Sequence, residues 1–167
     1  YWDGKEDPTG YWMSEKIDGV RVMWDGEMLY SRSGLALKLP RFFTDGLPKL
    51  FLDGELWMGR ARGEDIADLC RKAKPTNETD EWDDVTYVVF DIPEYADLPY
   101  EKRMEILDSL KLGTYSRPIG RRKCTGPEDM QNYLKEITDN LGEGIMLRKP
   151  DTQYVAGRSS TMLKVVK

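Results

Sequence analysis

The sequence predicts an α+β domain in which antiparallel sheets dominate. Stretches with strand character are joined in pairs by short turns more often than they alternate with helices, which favours antiparallel pairing over a doubly wound sheet. The dipeptide Asp25-Gly26 separates two such stretches and is a strong hairpin signal. With 167 residues, 40% of them hydrophobic, the chain is long enough for one domain with a filled core. No internal repeat or second domain is evident.

The first third of the chain carries most of the predicted hairpin strands. Strand patterns cover residues 11–17, which include Lys16, and residues 20–24 and 27–32. A short helical or irregular piece around residues 40–48 then leads to an apolar strand. That strand is predicted at residues 50–58.

The middle of the chain combines a helix, a loop and a strand. Residues 63–73 have helical periodicity, and the polar, breaker-rich stretch at residues 74–84 is expected to be a mobile loop. Residues 85–92 follow as an apolar strand. The next predicted helix covers residues 98–110, and Pro99 is suited to its first turn.

In the last third of the chain, the sequence predicts a strand region, a helix and two closing strands. The strand region runs from about residue 114 to residue 124, and the helix covers residues 127–140 with Pro127 near its start. The closing strands are expected at residues 144–150 and 161–167.

The composition excludes several classes of function. The chain has no histidine, which removes Ser-His-Asp and Cys-His nucleophile systems, zincin motifs and the commonest metal ligand. Cys70 and Cys124 lack metal-ligand spacing, so we expect reduced, structural thiols. Any chemistry must therefore come from Lys, Arg, Asp and Glu.

The charge and hydropathy patterns set expectations about partners. A net charge of −5 and a pI near 5.0 argue against a protein that coats nucleic acid. Residues 117–123, RPIGRRK, carry only basic charges and are either a local basic face or a solvated turn. No apolar run approaches the roughly 20 residues that a membrane span requires, and no signal segment opens the chain. We expect a soluble intracellular protein without a membrane partner.

Charged residues inside apolar strand patterns carry the functional signal. Residues 14–26 read SEKIDGVRVMWDG, and the K-x-D-G pattern within them occurs by chance at about one position in several thousand. Charged residues are rare inside strands unless one face of the strand contacts solvent or forms a functional site. The further charged residues in such settings are Asp53, Glu55, Asp91, Glu143 and Lys164.

Six ordered segments resemble the nucleotidyltransferase domain of ATP-dependent DNA ligases, most closely the small, compact ligases of bacteria and viruses. The segments are SEKIDGVR, YSRSG, LDGELW, VVFDI, GEGIMLR and MLKVV, and they span about Tyr11 to Lys164. The resemblance implies an ATP-grasp-like fold of mainly antiparallel sheets flanked by helices. It also implies three steps: a lysine takes AMP from ATP, AMP passes to the 5′-phosphate at a nick in double-stranded DNA, and the 3′-hydroxyl displaces it.

The resemblance assigns catalytic roles to Lys16, Arg21 and Lys164. Lys16 would form the covalent lysine–AMP bond, and Lys164 would bind the α-phosphate. A lysine amine has an ordinary pKa of about 10.4, so a nucleophilic lysine needs burial or nearby cations that lower it. Arg21 and Lys164 are the candidate cations in this sequence.

The resemblance also implies a nucleotide site and a metal site. Arg21 and Arg32 would lie near the ribose or the nick 5′-phosphate, and Phe90 would stack on adenine. The residues expected to bind the nucleotide are Glu15, Lys16, Arg21, Arg32, Glu55, Phe90 and Lys164. Glu143 would hold Mg²⁺ or Mn²⁺, because hard cations prefer carboxylate oxygens, and Glu55 would contact the same metal ion or the ribose. Asp18 would shape the site without ligating.

The chain departs from the family pattern at its end. The family usually has a second lysine two positions after Lys164, where this chain has Val166, so a role for the following Lys167 is provisional. Because the chain starts without methionine and stops in a strand-like stretch, we expect a piece of a longer protein. We also expect a monomer. Residues 1–167 would be the adenylation domain, with an oligonucleotide-binding barrel absent from this chain. Such a piece would bind DNA weakly and would catalyse the complete reaction poorly.

Other functions remain open at the level of sequence. RNA ligases and capping guanylyltransferases use the same lysine chemistry, and the nucleotide and the sugar of the substrate would separate them from a DNA ligase. A catalytically inactive binding module of the same fold is a second alternative, which the four intact motif residues Lys16, Glu55, Glu143 and Lys164 argue against. An unrelated acidic α+β domain is the third alternative, and it would show no ATP-dependent change in mass.

Overall fold

A computed structural model describes residues 1–72, 80–156 and 161–166, which form two sheets with helices packed on them. In chain order the strands are β1 (Trp12–Glu15), β2 (Val20–Trp24), β3 (Leu29–Ser31), β4 (Ala36–Leu37), β5 (Leu52–Trp57), β6 (Thr86–Asp91), β7 (Ser116–Pro118), β8 (Arg122–Lys123), β9 (Gly144–Arg148) and β10 (Met162–Val166). The helices are α1 (Arg41–Thr44), α2 (Gly63–Lys72), α3 (Tyr100–Ser109) and α4 (Pro127–Asp139), with short 3₁₀ helices at Asp80–Asp84 and Pro93–Tyr95.

The two sheets are almost entirely antiparallel. The smaller sheet has the strand order β10-β9-β1-β8, and the larger has the order β4-β3-β2-β5-β6-β7. The only parallel pairing in the described part of the chain joins β6 to β7. The predicted α+β class with mainly antiparallel sheets is confirmed.

The turn at Asp25-Gly26 joins β2 to β3 as predicted. The backbone N–H of Asp25 donates to the carbonyl of Met28 at 3.1 Å. The Asp25 carboxylate accepts the N–H groups of Glu27 and Met28, both at 2.8 Å. These bonds satisfy backbone groups inside the turn and fix the register in which Trp24 pairs with Leu29.

Lys16 lies between strands, so the prediction of a strand through residue 17 is wrong there. β1 ends at Glu15 in the smaller sheet, and β2 begins at Val20 in the larger one. A single bond, from Lys16 N–H to the Gly144 carbonyl at 2.9 Å, continues the β1–β9 ladder. The segment 16–19 then crosses from one sheet to the other and cannot pair with both.

Each sheet covers its own hydrophobic cluster. The larger cluster contains Val22, Leu56 and Tyr87 of the six-stranded sheet, packed against α1, α2 and α3. The smaller cluster contains Met13 and Ile145, packed against α4. Since strand side chains alternate between faces, the opposite faces of both sheets are free to line a cleft.

Three local predictions differ from the structure. The predicted mobile loop at residues 74–84 contains the 3₁₀ helix Asp80–Asp84, where Trp82 is buried with its ring edge-on to Phe43; residues 74–79 lie outside the described residues. The strand region at 114–124 is two strands in different sheets, β7 and β8. The short strand β4 was not predicted, because two residues carry no periodicity.

The basic stretch at residues 117–123 is largely engaged in contacts within the protein. Arg121 pairs with Asp108, and Arg122 pairs with Asp129. The remaining two cations lie over indole rings, at 5.6 Å from the ring centre in each case; they are Arg117 over Trp57 and Lys123 over Trp12.

The remaining composition-based expectations concern cysteines and membranes. Cys70 and Cys124 are both free, and burial raises the pKa of each thiol. In the described part of the chain, no helix is long and apolar enough to cross a membrane.

Candidate active site

A cavity of about 640 Å³ lies between the two sheets. On the smaller sheet, Ser14 of β1 and Lys164 of β10 both pair with Met146 of β9, and all three line the cavity. On the larger sheet, Arg21 pairs with Glu55, and both line the opposite wall. The cavity is therefore enclosed by the two sheet faces that do not cover the hydrophobic clusters.

The structure brings together all the residues that the sequence assigns to the site and that lie among the described residues. Those lining the cavity are Glu15, Lys16, Arg21, Arg32, Glu55, Phe90, Glu143 and Lys164, together with Asp18. Lys167 lies outside the described residues. Two further charged residues of the apolar strands, Asp53 and Asp91, are fully buried behind the cavity.

The Lys16 ammonium forms an ion pair with the Glu143 carboxylate. Lys16 is largely buried and Glu143 is more open, with side-chain exposures of 21% and 38%. The pair joins the sheet-to-sheet connection to the residue that precedes β9, and both side chains line the cavity. It places an amine and a carboxylate at one point on the cavity wall.

Glu143 is positioned by the end of helix α4. The Gly142 N–H donates to the Ile137 carbonyl at 2.8 Å, and the Leu141 N–H donates to the Thr138 carbonyl at 3.2 Å. This pair of bonds is a Schellman motif, with Leu141 in the left-handed region at φ 71°. A β-carbon at Gly142 would overlap the Ile137 side chain. The helix end thus delivers the chain directly to Glu143 and β9.

Glu55 is a carboxyl group of the cavity whose pKa is raised. Burial raises its pKa to about 7, an increase that the nearby Glu143 charge reinforces and that Lys16 and Arg21 oppose. One carboxyl oxygen accepts the Gly19 N–H at 2.9 Å. Glu55 therefore contacts the segment that carries Lys16 and changes its charge near neutral pH.

Arg21 is held by a buried carboxylate. Its Nε and Nη2 atoms donate to Asp53 at 3.1 and 2.6 Å. The Tyr154 hydroxyl donates to the same carboxylate at 2.8 Å. The Arg21 guanidinium also lies 5.4 Å from the centre of the Phe90 ring. Asp53 thus fixes a cation beside the aromatic ring in the cavity.

Lys164 and Arg32 form the more exposed cationic rim. Lys164 is exposed, and its amine lies 5.7 Å from the centre of the Tyr1 ring. Arg32 is exposed in the turn after β3, next to Ser31 and Ser33, whose hydroxyls lie 3.0 Å apart. Both side chains can approach an anionic ligand in the cavity without first leaving a buried carboxylate.

Several cavity residues were missed by sequence reasoning. They are Ser14, Tyr100, Ile119, Met146, Arg148 and Met162. Arg148 carried a usable signal, because it is a charge at the end of the apolar strand Gly144–Arg148. It donates to Asp91 at 2.9 Å and lies 4.7 Å from the centre of the Tyr100 ring. The apolar members carried none, since a strand methionine or a helix tyrosine is ordinarily a core residue.

Among the described residues, four carboxyl side chains line the cavity, those of Glu15, Asp18, Glu55 and Glu143, and the last two are the ones that the sequence assigns to a hard cation. Within the described residues, no cluster of three or more His, Cys, Asp or Glu side chains is arranged to hold a metal ion. Glu55 and Glu143 are close enough for the charge of one to raise the pKa of the other. Mg²⁺ typically takes one or two carboxylates together with waters and substrate phosphates, so this donor set fits it.

Comparisons with known proteins agree on one family. Residues 5–166 match the family model described as ATP dependent DNA ligase domain. A DNA ligase of Haemophilus influenzae is 31% identical over 158 residues, which cover 93% of this chain and 58% of that protein.

Solved structures are similar over nearly the whole chain. A structure from a study of Lig E DNA ligases and DNA binding with a minimal scaffold is 30% identical, with a TM-score of 0.91, covering 100% of this chain and 66% of that one. A Chlorella virus DNA ligase-adenylate shares the fold, with a TM-score of 0.75 and 23% identity, over 94% of this chain and 61% of that one. The chain thus spans less than two thirds of the length of each of these relatives.

Proposed function

Because this chain belongs to the family of ATP-dependent DNA ligase domains, we propose that residues 1–167 form an adenylation domain in which Lys16 is the nucleophile. The family implies ATP and a divalent metal ion. The observation that carries the proposal is that Lys16 shares one cavity with the cations Arg21 and Lys164, the Phe90 ring and the carboxylates Glu55 and Glu143. None of these groups is near the others in sequence, apart from Lys16 and Arg21.

In the first step the Lys16 amine attacks the α-phosphorus of ATP. A nitrogen–phosphorus bond forms, the bond from the α-phosphorus to the bridging oxygen breaks, and pyrophosphate leaves. An amine that keeps its proton in the ion pair with Glu143 has no free electron pair, so that proton must leave before the attack. Lys164 and Arg21 offset the phosphate charge, and Phe90 stacks on the base.

Glu143 and Glu55 would hold the divalent cation, which supplies positive charge to the phosphates. Glu55 also receives the Gly19 N–H, so the same carboxyl group links the cation site to the segment that carries Lys16. Glu15, Arg32 and Lys164 complete the nucleotide site in this proposal.

The later steps act on nicked double-stranded DNA. AMP moves from Lys16 to the 5′-phosphate, and the 3′-hydroxyl then displaces AMP as the strand is sealed. Arg32, on the exposed rim, would meet the 5′-phosphate in this proposal. A C-terminal oligonucleotide-binding barrel would complete the enzyme, which is supported by the 58% coverage of the H. influenzae relative.

Intact-mass spectrometry with ATP and Mg²⁺ tests the proposal. We expect an added mass of one AMP that disappears with excess pyrophosphate and never forms on Lys16→Arg, which keeps the charge but not the amine nucleophile. Repeating the assay with GTP in place of ATP tests for a capping enzyme. Adding nicked RNA in place of nicked DNA tests for an RNA ligase. If neither this chain nor its longer parent protein takes up AMP, the proposed function is wrong.

A further inference from the structure

One loop contacts both sides of the Lys16 segment. This loop, residues 58–63, connects β5 to α2 and is called the clamp loop below. Its residues Arg60 and Gly63 meet Glu15, which precedes Lys16, and Asp18, which follows it. Nothing in the sequence pattern singled out this loop.

Arg60 holds the residue before Lys16. Its Nε donates to Glu15 Oε2 at 3.1 Å, and its Nη2 donates to Glu15 Oε1 at 2.9 Å, so the contact is bidentate. The Glu15 side chain is only 15% exposed, which limits competition from water. The third nitrogen, Nη1, lies 3.5 Å from the carbonyl of Asn140, at the end of α4. Arg60 therefore reaches both the Lys16 segment and the helix end that leads to Glu143.

Gly63 supports Asp18, two positions after Lys16. The Asp18 carboxylate lies directly against Gly63, and a β-carbon there would overlap its Oδ1 atom. Gly63 is the first residue of α2, where the free N–H groups and the helix dipole favour a carboxylate. The carboxylate of the K-x-D-G motif, which also lines the cavity, thus rests against the start of α2.

The same segment approaches β5 closely on its other side. A β-carbon at Gly19 would overlap the Leu56 carbonyl, so the backbone of the segment lies directly against β5. Its N–H meets Glu55 there. The segment 16–19 is thus held by contacts on both sides. Lys16 is the amine of this segment, and its side chain lines the cavity.

From these contacts we propose that Arg60 and Gly63 are positioning residues for the Lys16 nucleophile: the clamp loop fixes Glu15 and Asp18, and so aims the amine between them. The inference rests on the proposed function of Lys16. Neither residue lines the cavity, so we expect their replacement to change the rate of AMP transfer to Lys16 more than it changes ATP binding.

The test measures lysine–AMP formation by quenched intact-mass spectrometry over a range of ATP concentrations. For Arg60→Ala we expect the rate at saturating ATP to fall roughly 10- to 100-fold, since a misplacement of about 1 Å carries a cost of that order. The half-saturating ATP concentration rises by much less than the rate falls, because Glu15 is only one of several residues of the nucleotide site and the others stay in place. Arg60→Lys recovers part of the rate because it retains one donor to Glu15. Gly63→Ala lowers the rate in the same way by displacing Asp18.

Two matched variants control for general effects. Arg62→Ala removes an arginine from the same loop whose partner, Asp65, belongs to α2. Gly126→Ala changes a glycine at the start of α4, where a β-carbon would have ample space. Both are expected to match the unchanged chain in rate. The inference would be overturned if Arg60→Ala formed lysine–AMP at the same rate as Arg62→Ala. A fall in rate that is matched by weaker ATP binding and not relieved by Arg60→Lys would also overturn it.

Amide hydrogen exchange tests the inference without relying on AMP transfer. The Lys16 and Gly19 N–H groups bond to Gly144 and Glu55, so a peptide covering residues 14–20 reports on the segment. Arg60→Ala should speed its exchange at least tenfold relative to Arg62→Ala, and equal exchange would overturn the inference. If the segment loosens but the unchanged chain and its parent never take up AMP, the proposed function fails and the structural clamp stands.

Discussion

At the scale of single residues, Glu55 links protonation to folding. Its pKa rises from an ordinary 4.5 to about 7, chiefly through burial. The folded chain therefore keeps a proton between these values that the unfolded chain has released, and the free energy of unfolding falls as pH rises through this range. Below about pH 4.5 both states hold the proton, so the penalty is absent there.

Glu55→Gln removes this penalty while keeping an acceptor for the Gly19 N–H. The quantity of interest is the free energy of unfolding of the variant minus that of the unchanged chain, measured in the presence of a chelator. We expect this difference to increase by about 2–3 kcal/mol as the pH rises from 4.5 to 7. Above pH 7 it should change little. Urea denaturation at a series of pH values measures this difference. Glu81→Gln, at an exposed glutamate, serves as the control. A difference that is independent of pH would contradict the assigned pKa.

Residues differ in how far the sequence could predict their place in the site. Lys16, Glu55, Glu143 and Lys164 were identified because charges inside apolar patterns are rare and because the ordered motifs resemble a family. Arg60 could not be found in this way, because an arginine in a polar loop is ordinarily a solvated residue. Its role depends on contacts with Glu15 and Asn140, which are 45 and 80 positions away.

At the scale of secondary-structure elements, the end of α4 carries an avoidable strain. Leu141 occupies the left-handed position of the Schellman motif with its side chain 72% exposed. Glycine is favoured there because it lacks the β-carbon that makes this conformation costly. Leu141→Gly is therefore expected to raise the free energy of unfolding by about 1 kcal/mol, as measured by thermal or urea denaturation. Leu141→Ala keeps the β-carbon and should not reproduce the gain.

Periodicity predicted the long elements well and the connections poorly. α2, α3 and α4 begin and end within a few residues of the predicted bounds, because their apolar faces repeat locally. The strand region at residues 114–124 was divided differently, since β7 and β8 pair with strands that are distant in sequence. The end of β1 at Glu15 was missed for the same reason: which sheet a residue joins is a non-local property.

At the scale of the whole molecule, a buried ionic cluster joins the two sheets behind the cavity. Asp91 of β6 accepts Arg103 of α3 at 2.7 Å and Arg148 of β9 at 2.9 Å. Asp91 and Arg103 are completely buried. Arg103 also donates to the carbonyls of Leu98 and Thr152, at 2.6 and 2.8 Å. One carboxylate therefore balances cations from the helix and from the opposite sheet.

Asp91→Asn leaves two guanidinium groups without a counter-charge. We expect it to lower the free energy of unfolding by about 3–5 kcal/mol. Asp108→Asn is the matched control, because the Asp108 side chain that pairs with Arg121 is exposed to solvent and the expected loss is below about 1 kcal/mol. Urea denaturation of both variants at pH 7 measures the difference. Equal losses would mean that the buried cluster does not hold the sheets together.

Because of the way in which α4 ends, the length of that helix sets the position of one carboxylate in the candidate active site. Because its terminal bonds run directly into Glu143, the carboxylate is located by counting residues along the helix. Inserting or deleting one residue would turn whatever follows by about 100° around the helix axis, away from Lys16. The exposed side of α4 can change its chemistry freely, but its number of residues cannot change without moving the carboxylate.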